Sequence, residues 1–204
     1  MRRAVFLDRD GVLVRDQGPL TQVAQIELLP GVAPALDALK RAHFELIVVS
    51  NQTAIARGLL DAAGVIALQG EVERAIVAEG GPSLDGFYFC PHHPRASLPE
   101  LRCDCECRKP AAGLLRQAAA ERGIELERSF MIGDRASDVV AGYRAGCSTI
   151  LLRSGAHSAP PIEVSGGFEL RRADREVDTL HEAAEYVTSR TRVWARAARA
   201  RVSA

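Results

Sequence analysis

Two aspartates, Asp8 and Asp10, stand directly after a short apolar run, residues 4–7, and are followed by Gly11. The run, AVFL, is typical of a buried strand. In open parallel α/β sheets, active sites lie just beyond the carboxyl ends of the strands, which is where both carboxylates would fall. An acidic turn that closes a hairpin would show the same D-x-D-G pattern. The choice between a catalytic pair and a simple turn therefore depends on what the rest of the chain brings to this point.

The chain alternates between predicted strands and predicted helices. The strands are expected at 4–7, 45–49, 86–89, 130–132 and 148–152, and the helices at 32–42, 61–79, 111–122, 137–145 and from 179 onward. This alternation predicts an α/β fold with a doubly wound, Rossmann-like parallel sheet that carries helices on both faces. No insertion long enough for a large cap domain separates the predicted strands. A Ser/Pro/Gly-rich stretch, 154–167, predicts a loop.

Length and charge limit the classes of protein to consider. The 204 residues suffice for one domain, expected at 1–187, and an arginine-rich helical or frayed tail, expected at 188–204. The 26 basic and 26 acidic residues balance, which argues against nucleic acid or a membrane as a partner. Neither a membrane-spanning apolar run nor a signal-peptide core is found. We therefore expect a cytoplasmic protein that acts as a monomer on a small phosphorylated substrate.

Several polar residues either come directly after a predicted strand or lie in the loop that follows the predicted strand 86–89. Besides the first two aspartates, they are Ser50, Asn51, Arg108, Lys109, Asp134 and Asp138. Because the carboxyl ends of neighbouring parallel strands meet at one edge, these groups could share one crevice. Clustered carboxylates repel each other and need a cation to stay ionised together, and hard oxygen ligands favour Mg²⁺. A lysine and a hydroxyl beside that ion would bind phosphate oxygens.

A carboxylate nucleophile, a metal ion, a lysine and a hydroxyl together predict phosphoryl transfer through an aspartyl-phosphate. Asp8 would attack phosphorus. Asp10 would protonate the departing alkoxide and later take a proton from the attacking water. Mg²⁺ and Lys109 would neutralise charge on the equatorial phosphoryl oxygens. Arg9, between the two aspartates, is expected to point its side chain away from the metal.

Four of the five cysteines fall within residues 90–107. One C-x-H pair, Cys90 and His92, and one C-x-C pair, Cys105 and Cys107, together offer the four ligands of a closed tetrahedral zinc site. Because all four positions would be taken by protein, this zinc would be structural and would give a zinc-stapled loop next to residues 108–109. Cys103 could take one thiol position and His93 the imidazole position. Unpaired surface cysteines are the alternative interpretation.

The motifs, in this order, resemble those of the haloacid dehalogenase-like (HAD) phosphatases over about residues 4–153. The matching segments are Asp8-x-Asp10-Gly11, Val-Val-Ser50-Asn51-Gln52, Arg108-Lys109-Pro110 and Ile-Gly133-Asp134-x-x-x-Asp138. Finer patterns, at 6–11, 50–58, 90–94 and 105–110, are similar to the family of D-glycero-D-manno-heptose 1,7-bisphosphate 7-phosphatases and histidinol-phosphatases. The resemblance implies a phosphoric monoester hydrolase that uses Mg²⁺ and a structural Zn²⁺.

The resemblance also implies a role for each matching residue. Asp8 is the implied nucleophile and Asp10 the implied acid and base. Mg²⁺ would be bound by the Asp8 side chain, the Asp10 backbone carbonyl and Asp134, and the phosphoryl group would be stabilised by Ser50 and Lys109. The implied substrate-binding residues are Asp16, Gln17, Gly18, Pro19, Asn51, Gln52, Thr53, Arg108 and Arg135. Among the zinc ligands left open above, the family pattern favours Cys105 and His92.

The substrate is expected to be an anionic sugar bisphosphate, because Arg108 and Arg135 favour negatively charged groups and Arg108 would repel the cationic body of histidinol phosphate. The expected reaction is removal of the 7-phosphate of D-glycero-D-manno-heptose 1,7-bisphosphate. Histidinol phosphate or another small phosphomonoester is the alternative substrate. A catalytically silent HAD-like binding protein is a further alternative, but it would be expected to lack a nucleophile or a metal ligand.

Overall fold

Six parallel strands form one sheet in this computed structural model, which describes residues 2–153 and 172–202. The strands are β1 Ala4–Leu7, β2 Glu45–Asn51, β3 Gly86–Cys90, β4 Phe130–Gly133, β5 Ser148–Leu152 and β6 Arg175–Val177. The helices are α1 Val32–Arg41, α2 Thr53–Ala56, α3 Ala62–Ala78, α4 Gly113–Arg122, α5 Ala136–Ala145 and α6 Leu180–Val202. Their arrangement confirms the predicted α/β fold with helices on both faces of a parallel sheet.

Side chains of the central strands alternate between two hydrophobic cores. Val5 and Leu7 of β1 belong to the core shared with α1, α3 and α6. Ala4 and Phe6 belong to the core on the opposite face, shared with α4 and α5. Because both faces are covered, all four residues are completely buried, and the strand appears in the sequence as a continuous apolar run rather than an alternating one.

The winding of the chain reverses next to β1. The strand order is β3-β2-β1-β4-β5-β6, so β2 and β3 extend the sheet on one side of β1 and the later strands extend it on the other. In a sheet of this order, the loops after β1 and β4 diverge and leave a crevice at the carboxyl edge. The loop after β1 carries Asp8 and the loop after β4 carries Asp134, so both aspartates are delivered to that crevice.

Two elements have no counterpart among the sequence predictions. Strand β6 is three residues long with the sequence REV, and two of its side chains are exposed, so it carries no apolar pattern. Helix α2 is a single turn of four residues, too short for helical periodicity. Within residues 2–153 and 172–202, none of the connections between strands forms a separate cap domain. The loop predicted at 154–167 lies outside the described residues.

The last helix, α6, packs its first turns into the core. Leu180, Ala183, Ala184 and Val187 are buried there, against α1 and the sheet. The helix then continues to Val202, so the domain boundary expected after residue 187 falls within one helix. Among the described helices, none combines the length and the hydrophobicity needed to cross a bilayer.

Replacing Leu36 by alanine is expected to lower the free energy of unfolding by about 2–5 kcal/mol, because this fully buried α1 side chain would leave a cavity in the core. Urea denaturation measures the change. Leu59→Ala is the matched control, since that leucine is 53% exposed, and its effect should stay within about 0.5 kcal/mol. Equal losses in the two variants would contradict the assigned core.

Candidate active site and metal centre

A buried lysine joins the carboxylates at the carboxyl edge of the sheet. Lys109 Nζ lies 2.9 Å from Asp8 Oδ2 and 2.6 Å from Asp138 Oδ1, and donates a hydrogen bond of 2.8 Å to the Val49 carbonyl oxygen. Burial acts to lower the pKa of Lys109, but the charges of Asp138 and Asp8 outweigh it and raise the pKa above its ordinary value. The ammonium group is therefore charged, and it offsets part of the negative charge around it.

Asn51, the last residue of β2, holds the backbone of Lys109. Its Nδ2 donates to the Lys109 carbonyl oxygen at 2.9 Å, and its Oδ1 accepts from the Lys109 N–H at 3.0 Å. Both polar atoms of this amide are thus engaged within the protein. A substrate contact through the Asn51 amide, which the family resemblance implies, would use its second N–H or the second lone pair of Oδ1.

Three carboxylates converge beneath the crevice. Ligand oxygens of Asp8, Asp134 and Asp138 lie within 4.8 Å of one another, and all three side chains are buried. Burial, reinforced by the charges of Asp138 and Asp8, raises the pKa of Asp134 to about 8. A divalent cation among these oxygens would remove that penalty, and hard carboxylate oxygens are the ligands that Mg²⁺ prefers. Two of the predicted magnesium ligands, Asp8 and Asp134, therefore lie together in a donor set that fits the ion, and Asp138 lies beside them.

Gly11 is required by the close approach of the first loop to this cluster. Its φ is +81°, and a Cβ atom at this position would lie 2.2 Å from Asp134 Oδ2. A side chain would therefore be strained in its backbone and would displace a carboxylate of the proposed metal site.

Arg9 is buried at the wall of the cavity, where its guanidinium group pairs with Asp10. Its Nε and Nη2 donate to Asp10 Oδ1 and Oδ2, each at 3.0 Å, and Nη2 also donates to Gln52 Oε1 at 3.2 Å. Burial raises the pKa of Asp10, while the charge and the hydrogen bonds of Arg9 oppose the shift. The Asp10 side chain is thereby held apart from the three-carboxylate cluster.

A cavity of about 590 Å³ opens above these groups. The predicted catalytic and substrate-binding residues that line it are Asp8, Asp10, Asp16, Gly18, Pro19, Ser50, Asn51, Gln52, Thr53, Arg108, Lys109 and Arg135. Gln17 is the exception, because its side chain is directed to Glu27, with 3.1 Å between Gln17 Nε2 and Glu27 Oε2. Asp134 lies deeper, behind Gly11.

Positive charge dominates the lining of the cavity. Five arginines and one lysine face four aspartates there. Arg135 forms an ion pair with Asp16 at the mouth, and Arg108 Nη1 donates to the His92 carbonyl oxygen at 2.9 Å. Such a lining suits an anionic ligand. Arg57 and Arg144 also belong to it and are absent from the sequence-based site, although Arg57 stands within the family-like segment 50–58.

The cysteine-rich loop forms a compact four-ligand cluster beside the active site. Its members are Cys90, His92, Cys105 and Cys107, whose ligand atoms lie within 4.8 Å of one another. The three sulfur atoms are 3.1–3.5 Å apart, slightly closer than the roughly 3.8 Å that sulfur bonds of about 2.3 Å give around a tetrahedral centre. The cluster could therefore hold a zinc ion after a small expansion.

The two alternative ligands left open by the sequence lie elsewhere. His93 Nδ1 accepts a hydrogen bond of 3.0 Å from the Arg95 N–H, and Cys103 lines the active-site cavity. Neither belongs to the four-ligand cluster. The geometry thus agrees with the ligand choice that the family resemblance favours.

Known proteins are similar to this one over most of the chain. A family model described as HAD-hydrolase-like matches residues 106–183. The D-glycero-β-D-manno-heptose-1,7-bisphosphate 7-phosphatase of Yersinia pestis is 40% identical over 153 residues, 74% of this chain and 81% of its own. The Escherichia coli protein of the same name is 38% identical over 168 residues, 82% of this chain and 87% of its own. The chain belongs to the HAD-like phosphatases.

A solved relative extends this likeness to three dimensions. The solved D,D-heptose 1,7-bisphosphate phosphatase of B. bronchiseptica, complexed with magnesium and phosphate, matches this chain with a TM-score of 0.74 and 28% sequence identity. The match covers 92% of this chain and 99% of the solved one. The family and the enzyme class predicted from the sequence are thereby confirmed.

In this phosphatase, Gly11→Ala is expected to lower both Mg²⁺ affinity and Mg²⁺-dependent phosphate release by at least about 100-fold, because the new Cβ would displace Asp134. Calorimetric Mg²⁺ titration and a phosphate assay measure the two effects. Gly31→Ala is the matched control: its φ is +79° but the added Cβ meets nothing within 4 Å. If both variants bound Mg²⁺ as the wild type does, the assigned metal site would be wrong.

Cys105→Ser is expected to reduce bound zinc well below one ion per chain and to lower thermal stability, because three ligands hold the ion less firmly than four. Cys103→Ser should leave the zinc content unchanged, since Cys103 is outside the cluster. Metal analysis by mass spectrometry after dialysis distinguishes the two. Loss of zinc in Cys103→Ser with retention in Cys105→Ser would reverse the assignment.

Proposed function

We propose that this phosphatase removes the 7-phosphate of D-glycero-D-manno-heptose 1,7-bisphosphate, with Mg²⁺ and through an aspartyl-phosphate on Asp8. The observation that carries the proposal is the buried ammonium of Lys109 between Asp8 and Asp138, beside a carboxylate cluster and beneath a cationic cavity. The names of the relatives support the choice of substrate, since proteins of 38–40% identity are heptose bisphosphate 7-phosphatases.

Asp8 has the surroundings of a nucleophile. Its Oδ1 accepts a 2.7 Å hydrogen bond from the Arg9 N–H, and its Oδ2 pairs with Lys109. These contacts fix the orientation of the Asp8 carboxyl group at the floor of the cavity. Attack of a carboxylate oxygen on phosphorus would form the aspartyl-phosphate and release the sugar oxygen.

Asp10 supplies the proton transfers of both halves of the reaction. Its carboxyl group lies at the cavity wall, where burial raises the pKa, although the paired Arg9 opposes the shift. The proton passes to the departing sugar oxygen. The resulting carboxylate then takes a proton from the water that attacks phosphorus, which regenerates Asp8 and releases phosphate.

The phosphoryl group would be held by Ser50 and Lys109. Both side chains are buried and line the cavity. When bound by Asp8, Asp134 and the Asp10 carbonyl, Mg²⁺ would supply further charge neutralisation at the phosphoryl oxygens. Lys109 provides a fixed positive charge that needs no rearrangement as negative charge develops.

The rim of the cavity favours a second anionic group on the substrate. Arg108 and Arg135 line the mouth, together with Arg57 and Arg144. A bisphosphate can place one phosphate at Asp8 and the other among these guanidinium groups. Histidinol phosphate remains the second candidate, but its ammonium group would meet like charges there.

We further propose a structural zinc in the four-ligand cluster and a cytoplasmic, monomeric enzyme without a nucleic-acid or membrane partner. The zinc would fix the loop that leads from Cys107 directly into Arg108 and Lys109. The balance of 26 basic and 26 acidic residues supports the absence of a polyanionic partner. The chemistry proposed for the described residues needs no side chain from a second copy of the protein.

Steady-state kinetics on purified substrates test the proposal. The wild type is expected to show a kcat/KM for the heptose bisphosphate at least about 10-fold above that for histidinol phosphate, and Asp8→Asn should lower it by at least about 1,000-fold. Asp37→Asn, at a half-exposed ion pair with Arg41 on α1, is the matched control and should retain activity. Phosphate release by Asp8→Asn at the wild-type rate would refute the nucleophile, and a preference for histidinol phosphate would refute the substrate.

A further inference from the structure

A continuous run of hydrogen bonds connects Asp10 to Ser50 through two buried side chains. Arg9 contacts both Asp10 oxygens and, through Nη2, the Gln52 Oε1 atom. Gln52 Nε2 donates to Ser50 Oγ at 2.7 Å. Arg9, Gln52 and Ser50 are each no more than 2% exposed. The run therefore joins the proposed proton donor to the proposed phosphoryl-binding hydroxyl without passing through solvent.

The chemistry of arginine gives this run a direction. A guanidinium group only donates hydrogen bonds, so the Gln52 atom that faces Arg9 must be the amide oxygen. The NH₂ group of Gln52 consequently faces Ser50, and Ser50 Oγ must accept its hydrogen bond. The Ser50 hydroxyl then keeps its own proton for an acceptor on the cavity side, which is where a phosphoryl oxygen would lie.

The contact between Arg9 and Asp10 restricts the carboxylate more than a single hydrogen bond would. Nε and Nη2 meet the two oxygens in a side-on, bidentate arrangement that fixes the plane of the carboxylate. Arg9 cannot easily leave this position, because its charge is buried and would lose its compensating partner. Asp10, by contrast, keeps a 24% exposed side chain at the cavity wall, where it can reach a substrate.

We propose that Arg9 is a positioning residue for the phosphatase reaction: it holds Asp10 in the orientation needed for proton transfer and, through Gln52, directs the Ser50 hydroxyl at the phosphoryl group. This inference rests on the proposed function, since it needs Asp10 as the acid. Gln52, which the family resemblance places among the substrate-binding residues, acts here through Ser50.

A positioning role for Arg9 makes the reaction depend on the leaving group in a way that a purely structural arginine would not. A sugar alkoxide is a poor leaving group and needs a proton from Asp10 as it departs, whereas a p-nitrophenolate departs without one. Misplacing Asp10 should therefore slow phosphoryl transfer from a sugar phosphate much more than transfer from p-nitrophenyl phosphate. General loss of folding or of metal would slow both equally.

The test is the rate of aspartyl-phosphate formation in single turnovers with these two classes of ester. Arg9→Met is expected to lower the rate with both esters, because the Ser50 hydroxyl loses its orientation, but to lower it about 100-fold more with the sugar bisphosphate than with p-nitrophenyl phosphate. Arg122→Met is the matched control, because Arg122 also pairs with a carboxylate, Glu45, at the opposite edge of the sheet. It should leave the ratio of the two rates unchanged.

Asp10→Asn separates failure of this inference from failure of the proposed function. Asp10→Asn should slow aspartyl-phosphate formation much more with the sugar bisphosphate than with p-nitrophenyl phosphate. An equal loss of rate with both esters would count against Asp10 as the acid and so against the proposed function. A leaving-group-dependent loss in Asp10→Asn with none in Arg9→Met would overturn the role of Arg9 alone. If Arg9→Met does not fold, Arg9→Lys replaces it, because lysine keeps the positive charge but cannot donate to both Asp10 oxygens in the same bidentate way. Wild-type rates with both esters in Arg9→Lys would also overturn the proposed role of Arg9.

Discussion

The buried charge of Lys109 is the constraint on which the rest of the site depends. Asp8, at the end of β1, and Asp138, in α5, could not be buried so close together as carboxylates without a cation between them. Lys109 supplies that cation, and Val49 and Asn51 at the end of β2 hold it in place. Two neighbouring strands and helix α5 thereby meet at one ammonium group, which leaves a charged, preorganised floor for a phosphoryl group.

The zinc cluster is best understood as support for this lysine. The loop that bears Lys109 contributes Cys105 and Cys107 to the cluster, while Cys90 and His92 extend from the end of β3. Hydrophobic packing alone would hold such a loop weakly, because it is rich in polar and charged residues. Four ligands from both ends of the loop would fix its path, and with it the entry of Lys109 into the buried site. The two metal sites would thus have separate tasks, one structural and one chemical.

Much of this arrangement follows from the sequence, because apolar runs that end in polar residues specify both the strands and the groups at their ends. Asp8, Ser50 and Asp134 could be assigned to one edge on that basis, whereas Lys109, which lies in the cysteine-rich loop, is placed there by the motif it forms with Arg108. The pairing of Arg9 with Asp10 and Gln52 could not be predicted, since strand alternation ends with β1 and the chain then turns through Gly11 with a φ of +81°. Likewise, β6 is too short and too polar to carry a pattern, and spacing alone does not separate Cys105 from Cys103, because the path of the loop decides which thiol reaches the cluster.

The covalent intermediate is the central claim, and trapping it is the most direct test. Acid quenching of the enzyme during turnover of its sugar bisphosphate, reduction with borohydride and peptide mass spectrometry would identify the phosphorylated side chain, since an acyl-phosphate is reduced to an alcohol and a free carboxylate is not. The account predicts reduction at Asp8, in proportion to the fraction of enzyme phosphorylated. Reduction at Asp10 or Asp134, or rapid phosphate release with no reducible carboxyl group at any time point, would contradict it.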